Sequence, residues 1–223
     1  MKNIIQIAGV IDSKEAEMLM TQGVEYLGFP LRLPVNKEDH TEAEATEIIA
    51  GIAQPHKAVL ITYLDIAQEI IEFCEQLQCF IIQLHGDISV EELKKLKDLC
   101  PEIIVFKSLV IGESRQDRLE EMIAELSPYV DAFITDTFDP VTGASGATGK
   151  THDWSISKRF VELSPKPVIL AGGLNADNVR QSILEVKPAG VDSHTGVEAI
   201  DGRKDLELIR KFVEEAKAGF EAI

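Results

Sequence analysis

The stretch that decides the fold is PVILAGGLNADNVRQSILEVKPAGVD, residues 167–192. A short apolar run rich in β-branched residues, 167–171, passes through a glycine pair into an amphipathic segment from Ala176 to Glu185. A second short apolar run, 189–192, follows. Because apolar runs that alternate with amphipathic segments are typical of parallel strands joined by helices, this stretch predicts one strand–helix–strand unit.

The same alternation occupies the rest of the chain, where six further strand-like runs precede the quoted stretch. Eight units in 223 residues favour a closed barrel over an open doubly wound sheet, which usually has fewer strands and a Gly-rich first crossover. No linker or break in composition divides the chain, so we predict an α/β protein, a single (β/α)8 TIM-barrel domain over residues 1–223. The predicted strands are 4–9, 25–29, 57–62, 80–84, 102–107, 131–135, 167–171 and 189–192, and the predicted helices are 13–22, 41–52, 65–77, 89–99, 114–126, 154–163, 176–185 and 203–218.

Composition excludes several classes of partner. The formal net charge is −16, from 22 basic and 38 acidic residues, which argues against nucleic acid or an anionic membrane as partner. The cysteines, Cys74, Cys79 and Cys100, have no metal-ligand spacing, so no metal site is expected. The apolar run at the N-terminus is too short for a signal peptide or a membrane span, and we expect a cytoplasmic protein.

Two small-residue loops follow the seventh and eighth predicted strands, where barrels often bind phosphate. Gly172 and Gly173 open the first loop, and Ser193, Thr195 and Gly196 lie in the second. Glycines let the backbone approach an anion, and exposed N–H groups at helix starts favour negative charge. Ordinary turns and a helix cap are the alternative for either loop alone. Their joint position favours a phosphate site.

Asp136 ends the sixth predicted strand, at the end of the barrel where catalytic groups lie. A carboxylic acid there could protonate a leaving ring oxygen, provided that its surroundings raise its pKa. The alternative is a cap or an ion pair with Lys150. The loop that follows, residues 139–153, has the composition of a mobile lid.

Three basic side chains complete the candidate site. His85 follows the fourth strand and could bind substrate, although a structural hydrogen-bonding role is commoner for a histidine in such a setting. His194 lies within the second phosphate loop and could act as a base, donate to an anion or face solvent. Arg32, after the second strand, could bind an anionic group.

Several motifs, in this order and spacing, resemble phosphoribosylanthranilate isomerase of tryptophan biosynthesis: GVEYLGF, QLHGD, the stretch from DT to GKTHDW, ILAGGLNADNV and VDSHTGVEAIDGRKD. The resemblance covers nearly the whole chain. It implies an isomerase that converts an aminoaldose to an aminoketose by an Amadori rearrangement, without metal or cofactor. It also implies that Asp136 is the general acid, that the following loop closes over the substrate and that the substrate is a small phosphorylated sugar. The implied phosphate ligands are Gly172, Gly173, Ser193, Thr195 and Gly196.

The chain departs from the family pattern at the base and at the aromatic-acid end. The family's first strand ends in KxCG, whose cysteine is the general base, and here Gln6 and Ala8 occupy the lysine and cysteine positions. His194 replaces a serine, and only Arg32 and Lys37 remain to hold an aromatic carboxylate.

These departures leave three hypotheses open. The family reaction could use another group, His194 or Asp12, in place of the missing base. The substrate could instead be a different phosphorylated sugar, or the protein could bind a phosphosugar without catalysis. Association into a homodimer also stays open.

Overall fold

The computed structural model describes residues 2–34, 40–112, 114–139, 144–145 and 149–223. The strands are β1 Ile4–Ala8, β2 Tyr26–Pro30, β3 Lys57–Thr62, β4 Ile81–Leu84, β5 Ile104–Ile111, β6 Ala132–Asp139, β7 Ala144–Ser145, β8 Val168–Leu170 and β9 Gly190–Ser193. The α-helices are α1 Ser13–Thr21, α2 Glu42–Ala50, α3 Ala67–Leu77, α4 Val90–Leu99, α5 Gln116–Leu126, α6 Trp154–Leu163, α7 Val179–Val186 and α8 Leu206–Glu221. Short 3₁₀ helices lie at Ser127–Tyr129 and Thr195–Val197.

The predicted barrel is confirmed. Strands β1 to β6, β8 and β9 pair in parallel around one sheet, and the pairing of β5 with β6 closes it. A helix follows each of the eight barrel strands, as the alternating pattern requires. The carboxyl ends of all eight strands therefore meet at one rim, where the candidate site lies.

Strands β5 and β6 extend further than predicted. They stay paired as far as Ile111 and Thr137, four and two residues beyond the predicted ends. Strand β6 then pairs antiparallel with β7, which was not predicted. Polar residues such as Ser108 and Thr137 are usual at strand ends, so the sequence suggested a loop where the two strands continue by pairing with each other. These two strands consequently raise the rim on one side of the barrel.

The strand residues divide into an inner and an outer set. The inner set fills the barrel, and the outer set packs under the helices: Ile5 and Ile7 belong to the outer set, whereas Ile4 and Ala8 belong to the inner one. The buried apolar residues of the inner set are Ile4, Ala8, Tyr26, Val59, Ile61, Phe106, Ala132, Ile134, Ile169 and Ala171.

Cys74, Cys79 and Cys100 are free thiols buried in the packing around the barrel, and burial raises the pKa of Cys79 to about 11. No helix among the described residues is long and apolar enough to cross a membrane.

Candidate functional site

Asp136 lies on the inner face of β6 near the rim. Ala132 and Ile134 belong to the inner set, and Asp136 follows on the same face of the strand. Its Oδ1 accepts a hydrogen bond of 2.7 Å from the backbone N–H of Thr137. Burial nevertheless raises the pKa of Asp136 to about 7. A carboxyl group with that pKa carries a proton for a substantial fraction of the time near neutral pH, as a general acid must.

The two small-residue loops contact each other, as their expected positions in the barrel predicted. Ser193 Oγ donates to the carbonyl oxygen of Leu174 at 2.7 Å. Gly196 approaches the same carbonyl so closely that a side chain at this position would collide with it. The loop after β8 is thus held against the loop after β9 at the rim, and the 3₁₀ helix at Thr195–Val197 begins there.

The glycine pair of the first loop adopts backbone conformations that favour glycine. Gly172 has a φ of 100° and Gly173 a φ of 65°. A Cβ atom on Gly173 would stand 2.6 Å from the carbonyl oxygen of Lys150, so the chain that returns from the lid region packs directly on this loop. The helix after this loop begins later in the chain than predicted. Residues 176–178 form a turn, and α7 begins at Val179 rather than Ala176.

His152, in the GKTHDW motif, was not predicted as a site residue. Its Nδ1 lies 2.8 Å from Thr137 Oγ1, and its Nε2 lies 2.6 Å from Ser157 Oγ. Burial lowers the pKa of His152 to about 4, so the imidazole is neutral at neutral pH. The ring therefore joins the end of β6, next to Asp136, to α6. Only the packing of the two elements shows this link, because sequence spacing does not bring 137 and 152 together.

A row of polar side chains crosses the barrel interior below the rim. Gln6 Nε2 donates to Gln83 Oε1 at 3.0 Å, and Gln83 Nε2 donates to Ser108 Oγ at 3.4 Å. Ser108 Oγ lies 3.1 Å from His85 Nδ1, and the His85 ring packs 5.0 Å from the ring of Tyr63. His85 therefore makes the contacts expected of a structural histidine, the alternative to substrate binding. Its position still faces the barrel mouth.

His194 lies over the end of β1. Its imidazole occupies the space that a Cβ atom on Gly9 would need, directly after Ala8, and Gly9 has a φ of 76°. His194 Nε2 is 3.4 Å from Glu198 Oε1, and Glu198 accepts a 2.6 Å bond from Lys204. Burial, and then the charge of Lys204, lower the pKa of His194, although 26% of its side chain is exposed. The imidazole is therefore neutral at neutral pH.

Asp192, on the inner face of β9, is a second buried carboxyl group that sequence reasoning did not single out. Its neighbour Val191 belongs to the outer set, and Asp192 is paired in register with Gln6. The residue is 8% exposed, and its Oδ1 has no hydrogen-bond partner among the described residues. Burial and the charge of Asp136 raise its pKa to about 7. The sequence does contain a pattern that points to Asp192: it is an aspartate at the end of a short apolar run, as Asp136 is.

Other predicted residues are not brought to the same place. Arg32 Nε donates to Glu42 at 2.8 Å, and its guanidinium lies 3.7 Å from the centre of the Phe73 ring, so an anion-binding role stays a prediction. Asp12, the alternative base, caps α1 and forms an ion pair with Arg203. Lys37 and, in the predicted lid 139–153, residues 140–143 and 146–148 lie outside the described residues. Among the described residues no group of His, Cys, Asp and Glu is arranged to hold a metal ion.

Comparisons with known proteins agree with this geometry. The model of the family described as N-(5'-phosphoribosyl)anthranilate (PRA) isomerase matches residues 5–215. The chain is 34% identical over 221 residues to N-(5'-phosphoribosyl)anthranilate isomerase 2 of Methanosarcina mazei, which covers 97% of this chain and 95% of that protein. It is 32% identical over 214 residues to the isomerase of Methanothrix thermoacetophila, with 96% and 98% covered.

Solved structures of the same family have the same architecture. The phosphoribosyl anthranilate isomerase from Thermotoga maritima matches with a TM-score of 0.81 and 27% identity, over 97% of this chain and 99% of that chain. A phosphoribosyl anthranilate isomerase in complex with reduced 1-(o-carboxyphenylamino)-1-deoxyribulose 5-phosphate matches with a TM-score of 0.79 and 25% identity, over the same shares. The chain therefore belongs to the N-(5'-phosphoribosyl)anthranilate isomerase family, the aldose–ketose isomerases of tryptophan biosynthesis.

Proposed function

We propose that this chain isomerises N-(5'-phosphoribosyl)anthranilate by an Amadori rearrangement, with Asp136 as the general acid. The observation that carries the proposal is a partly buried carboxyl group with a pKa of about 7 at the same rim as two glycine-rich loops in mutual contact. The names of the relatives and the ligand of the solved complex support the choice of substrate.

The first chemical step in this proposal is opening of the ribose ring. Asp136 gives its proton to the ring oxygen as the bond between that oxygen and C1 breaks, and the amine nitrogen forms a double bond to C1. A proton must then leave C2. A general acid of this kind typically contributes 10²–10⁴-fold to rate.

The phosphate is proposed to lie between the loops after β8 and β9. Gly172, Gly173 and Gly196 allow the backbone to approach the anion, and Thr195 offers a hydroxyl group at the start of the 3₁₀ helix. Ser193 Oγ is already bonded to Leu174, so we assign Ser193 a contact through its backbone N–H.

His194 is proposed to touch the substrate as a neutral imidazole. Its ring lies against Gly9, the residue after the position of the family's cysteine, but its lowered pKa makes it a weak proton acceptor. We also propose that His85 contacts the sugar from the end of its polar row.

One observation favours a second candidate, an isomerase of a phosphorylated sugar that lacks the aromatic acid. Arg32, which would hold the aromatic carboxylate, is already bonded to Glu42 through two nitrogens. The catalytic and phosphate-binding parts of the site would serve such a substrate equally well.

The decisive experiment measures turnover of phosphoribosylanthranilate by the purified protein and by Asp136→Asn. We expect wild-type turnover, and a loss of about 10²–10⁴-fold in kcat for the variant. Asp87→Asn is the matched control, because Asp87 is exposed in the loop after β4. A wild-type protein that binds phosphate esters and does not turn over this substrate would contradict the proposal and favour the second candidate.

The setting of the reaction is also a proposal. We propose a cytoplasmic enzyme whose partner is a small phosphorylated substrate. Homodimer formation is proposed on the precedent of the dimeric phosphoribosylanthranilate isomerase of Thermotoga maritima. Sedimentation of the full chain would test association directly: a single monomeric species would contradict it.

A further inference from the structure

Two carboxyl groups, Asp136 partly buried and Asp192 buried, flank one alanine on the inner wall of the barrel. Ile134 of β6 is in register with Ile169 of β8, and Leu170 of β8 is in register with Val191 of β9. Continuing both registers toward the rim places Asp136, Ala171 and Asp192 in one row across three neighbouring strands. All three positions face the barrel interior.

The residues around this row leave space between the carboxyl groups. Ala171 contributes only a methyl group between Asp136 and Asp192, and Ala8 contributes only a methyl group on the next strand along. Asp192 is more than nine-tenths buried, and its Oδ1 has no partner among the described residues. A buried acceptor without a partner is costly unless a ligand or a proton satisfies it.

We propose that Asp192 is the general base of the isomerisation, and that Asp136 and Asp192 act together as a carboxyl pair, with Asp136 as the acid and Asp192 as the base. The assignment rests on the proposed function, since it names the group that removes the proton from C2. It also explains how a chain with Ala8 in place of a cysteine can still complete the reaction.

The electrostatics couple the two carboxyl groups. Burial raises the pKa of Asp136 to about 7, and burial together with the charge of Asp136 raises the pKa of Asp192 to about 7. Two interacting carboxyl groups release their protons in steps that belong to the pair. Near neutral pH one group of the pair can therefore be protonated while the other is ionised, which supplies one acid and one base at the same rim.

The surroundings of Asp192 suit a group that changes its charge. The charged groups that act on Asp192 are Asp136 from β6 and Lys204 from the segment before α8. His194 lies two residues further along the chain, just after the end of β9. Facing Asp192 from β1 is Gln6, whose amide can donate to a carboxylate or accept from a carboxylic acid. A lysine at position 6, as in the KxCG pattern, would instead hold the carboxyl group in its ionised form.

The proton movements balance. Asp136 gives a proton to the ring oxygen, and the electrons of the broken C1–O bond stay on that oxygen. Asp192 takes the proton from C2, and the electrons of the C–H bond form a C1=C2 double bond while the C=N electrons return to nitrogen. Asp192 then returns its proton to C1, and the C2 hydroxyl proton goes to Asp136 as the ketone forms. Both groups regain their starting states.

The test compares Asp192→Asn and Asp136→Asn with wild type on ordinary substrate and on substrate deuterated at C2. We expect Asp192→Asn to lose about 10²–10⁴-fold in kcat with little change in KM, and its deuterium isotope effect to rise because C–H cleavage becomes limiting. Asp136→Asn should lose activity without that rise, because ring opening limits it. A merely structural role for Asp192 would not increase the isotope effect. Wild-type kcat in a folded Asp192→Asn variant would overturn the proposal.

A second measurement does not depend on turnover. Carboxyl carbon resonances of the wild type should show Asp192 titrating well above an ordinary aspartate, and its pKa should fall in Asp136→Asn. An Asp192 that titrates like an exposed aspartate, or one that Asp136→Asn leaves unchanged, would overturn the carboxyl pair. If the wild type shows this titration but does not turn over phosphoribosylanthranilate, the proposed function fails while the pair remains.

Discussion

Two regions of the barrel rim differ in how far their proposed roles depend on particular residues. The loops after β8 and β9 are proposed to bind phosphate, and the ends of β1, β6 and β9 are proposed to transfer protons. The loops after β8 and β9 contain Gly172, Gly173, Ser193, Thr195 and Gly196, the phosphate ligands that the resemblance implies, and meet through the Leu174 carbonyl group. At the end of β1, Gln6 and Ala8 stand where the resemblance implies a lysine and a cysteine, and carboxyl groups lie on β6 and β9. Anion binding by backbone groups requires only room and geometry, whereas proton transfer depends on which neighbours surround each titratable group. The second region can therefore change its residues and keep a similar chemistry.

Restoring the family's cysteine gives the largest expected effect. In an Asp192→Asn background, Ala8→Cys should recover about 10–100-fold in kcat, because a thiolate would again be available near C2. In the wild-type background the same change should alter kcat by less than about threefold. Ala8→Ser is the matched control, because its hydroxyl group has similar size and does not ionise in this range. A gain of two orders of magnitude in the wild-type background would show that the protein has no effective base of its own.

The buried carboxyl group should also affect stability in a defined pH window. An unfolded aspartate has a pKa of about 3.9, whereas burial holds that of Asp192 at about 7 in the folded protein. Between these values the folded state binds more protons, so this group's contribution to the free energy of unfolding decreases as pH rises. The free energy of unfolding of Asp192→Asn minus that of wild type should therefore be larger at pH 8 than at pH 4, by about 1–3 kcal/mol. Urea unfolding at both pH values measures the difference.

Exposed Asp87→Asn serves as the control for this comparison. Its stability difference from wild type should be the same at both pH values. Equal behaviour of Asp192→Asn and Asp87→Asn would mean that Asp192 titrates normally in the folded protein.

A single methyl group added to the loop after β9, the proposed phosphate site, should weaken substrate binding. Gly196→Ala would place a Cβ atom against the Leu174 carbonyl oxygen and separate the two loops. We expect KM to rise about tenfold, or about 1.4 kcal/mol, with kcat much less affected, because binding rather than proton transfer is disturbed. Gly51→Ala, at the exposed end of α2, should leave both constants unchanged. A selective loss of kcat would mean that this loop takes part in the chemistry.

The smallest expected change in KM concerns Arg32, the candidate ligand of the substrate's aromatic carboxylate. Glu42→Gln removes the carboxylate that binds Arg32 and should lower KM for phosphoribosylanthranilate by about threefold or less, because a partly exposed ion pair is weak. Arg32→Ala should raise KM if the guanidinium reaches the substrate. No response in either variant would favour a substrate without the aromatic carboxylate.

The sequence predicts most of the fold, whereas several contacts in the candidate site follow only from the packing of elements that are distant in the chain. The eight strands follow from apolar periodicity, and Asp136 and the glycine loops follow from their places at strand ends. The continuation of β5 and β6 is missed because its polar residues resemble loop residues. The Arg32–Glu42 pair depends on the path of a loop that no periodicity fixes.

Asp192 shows a second limit. An aspartate at the end of an apolar run is visible in the sequence, but its relation to Asp136 depends on the stagger of three neighbouring strands. Likewise, the row from Gln6 to His85 is formed by residues 77 and 25 positions apart in the chain. Only barrel closure brings such pairs together.

The shared contact at the Leu174 carbonyl has a consequence for the thermodynamics of binding. Because Ser193 and Gly196 both close on that one oxygen, the two loops form a single preorganised unit before any ligand arrives. Under the proposed function, a phosphate group meets backbone groups that are already oriented, and little conformational entropy is lost on binding. The proposed site would then anchor one end of the substrate, so that the binding energy of the phosphate could be used to position the reacting carbons at the other end.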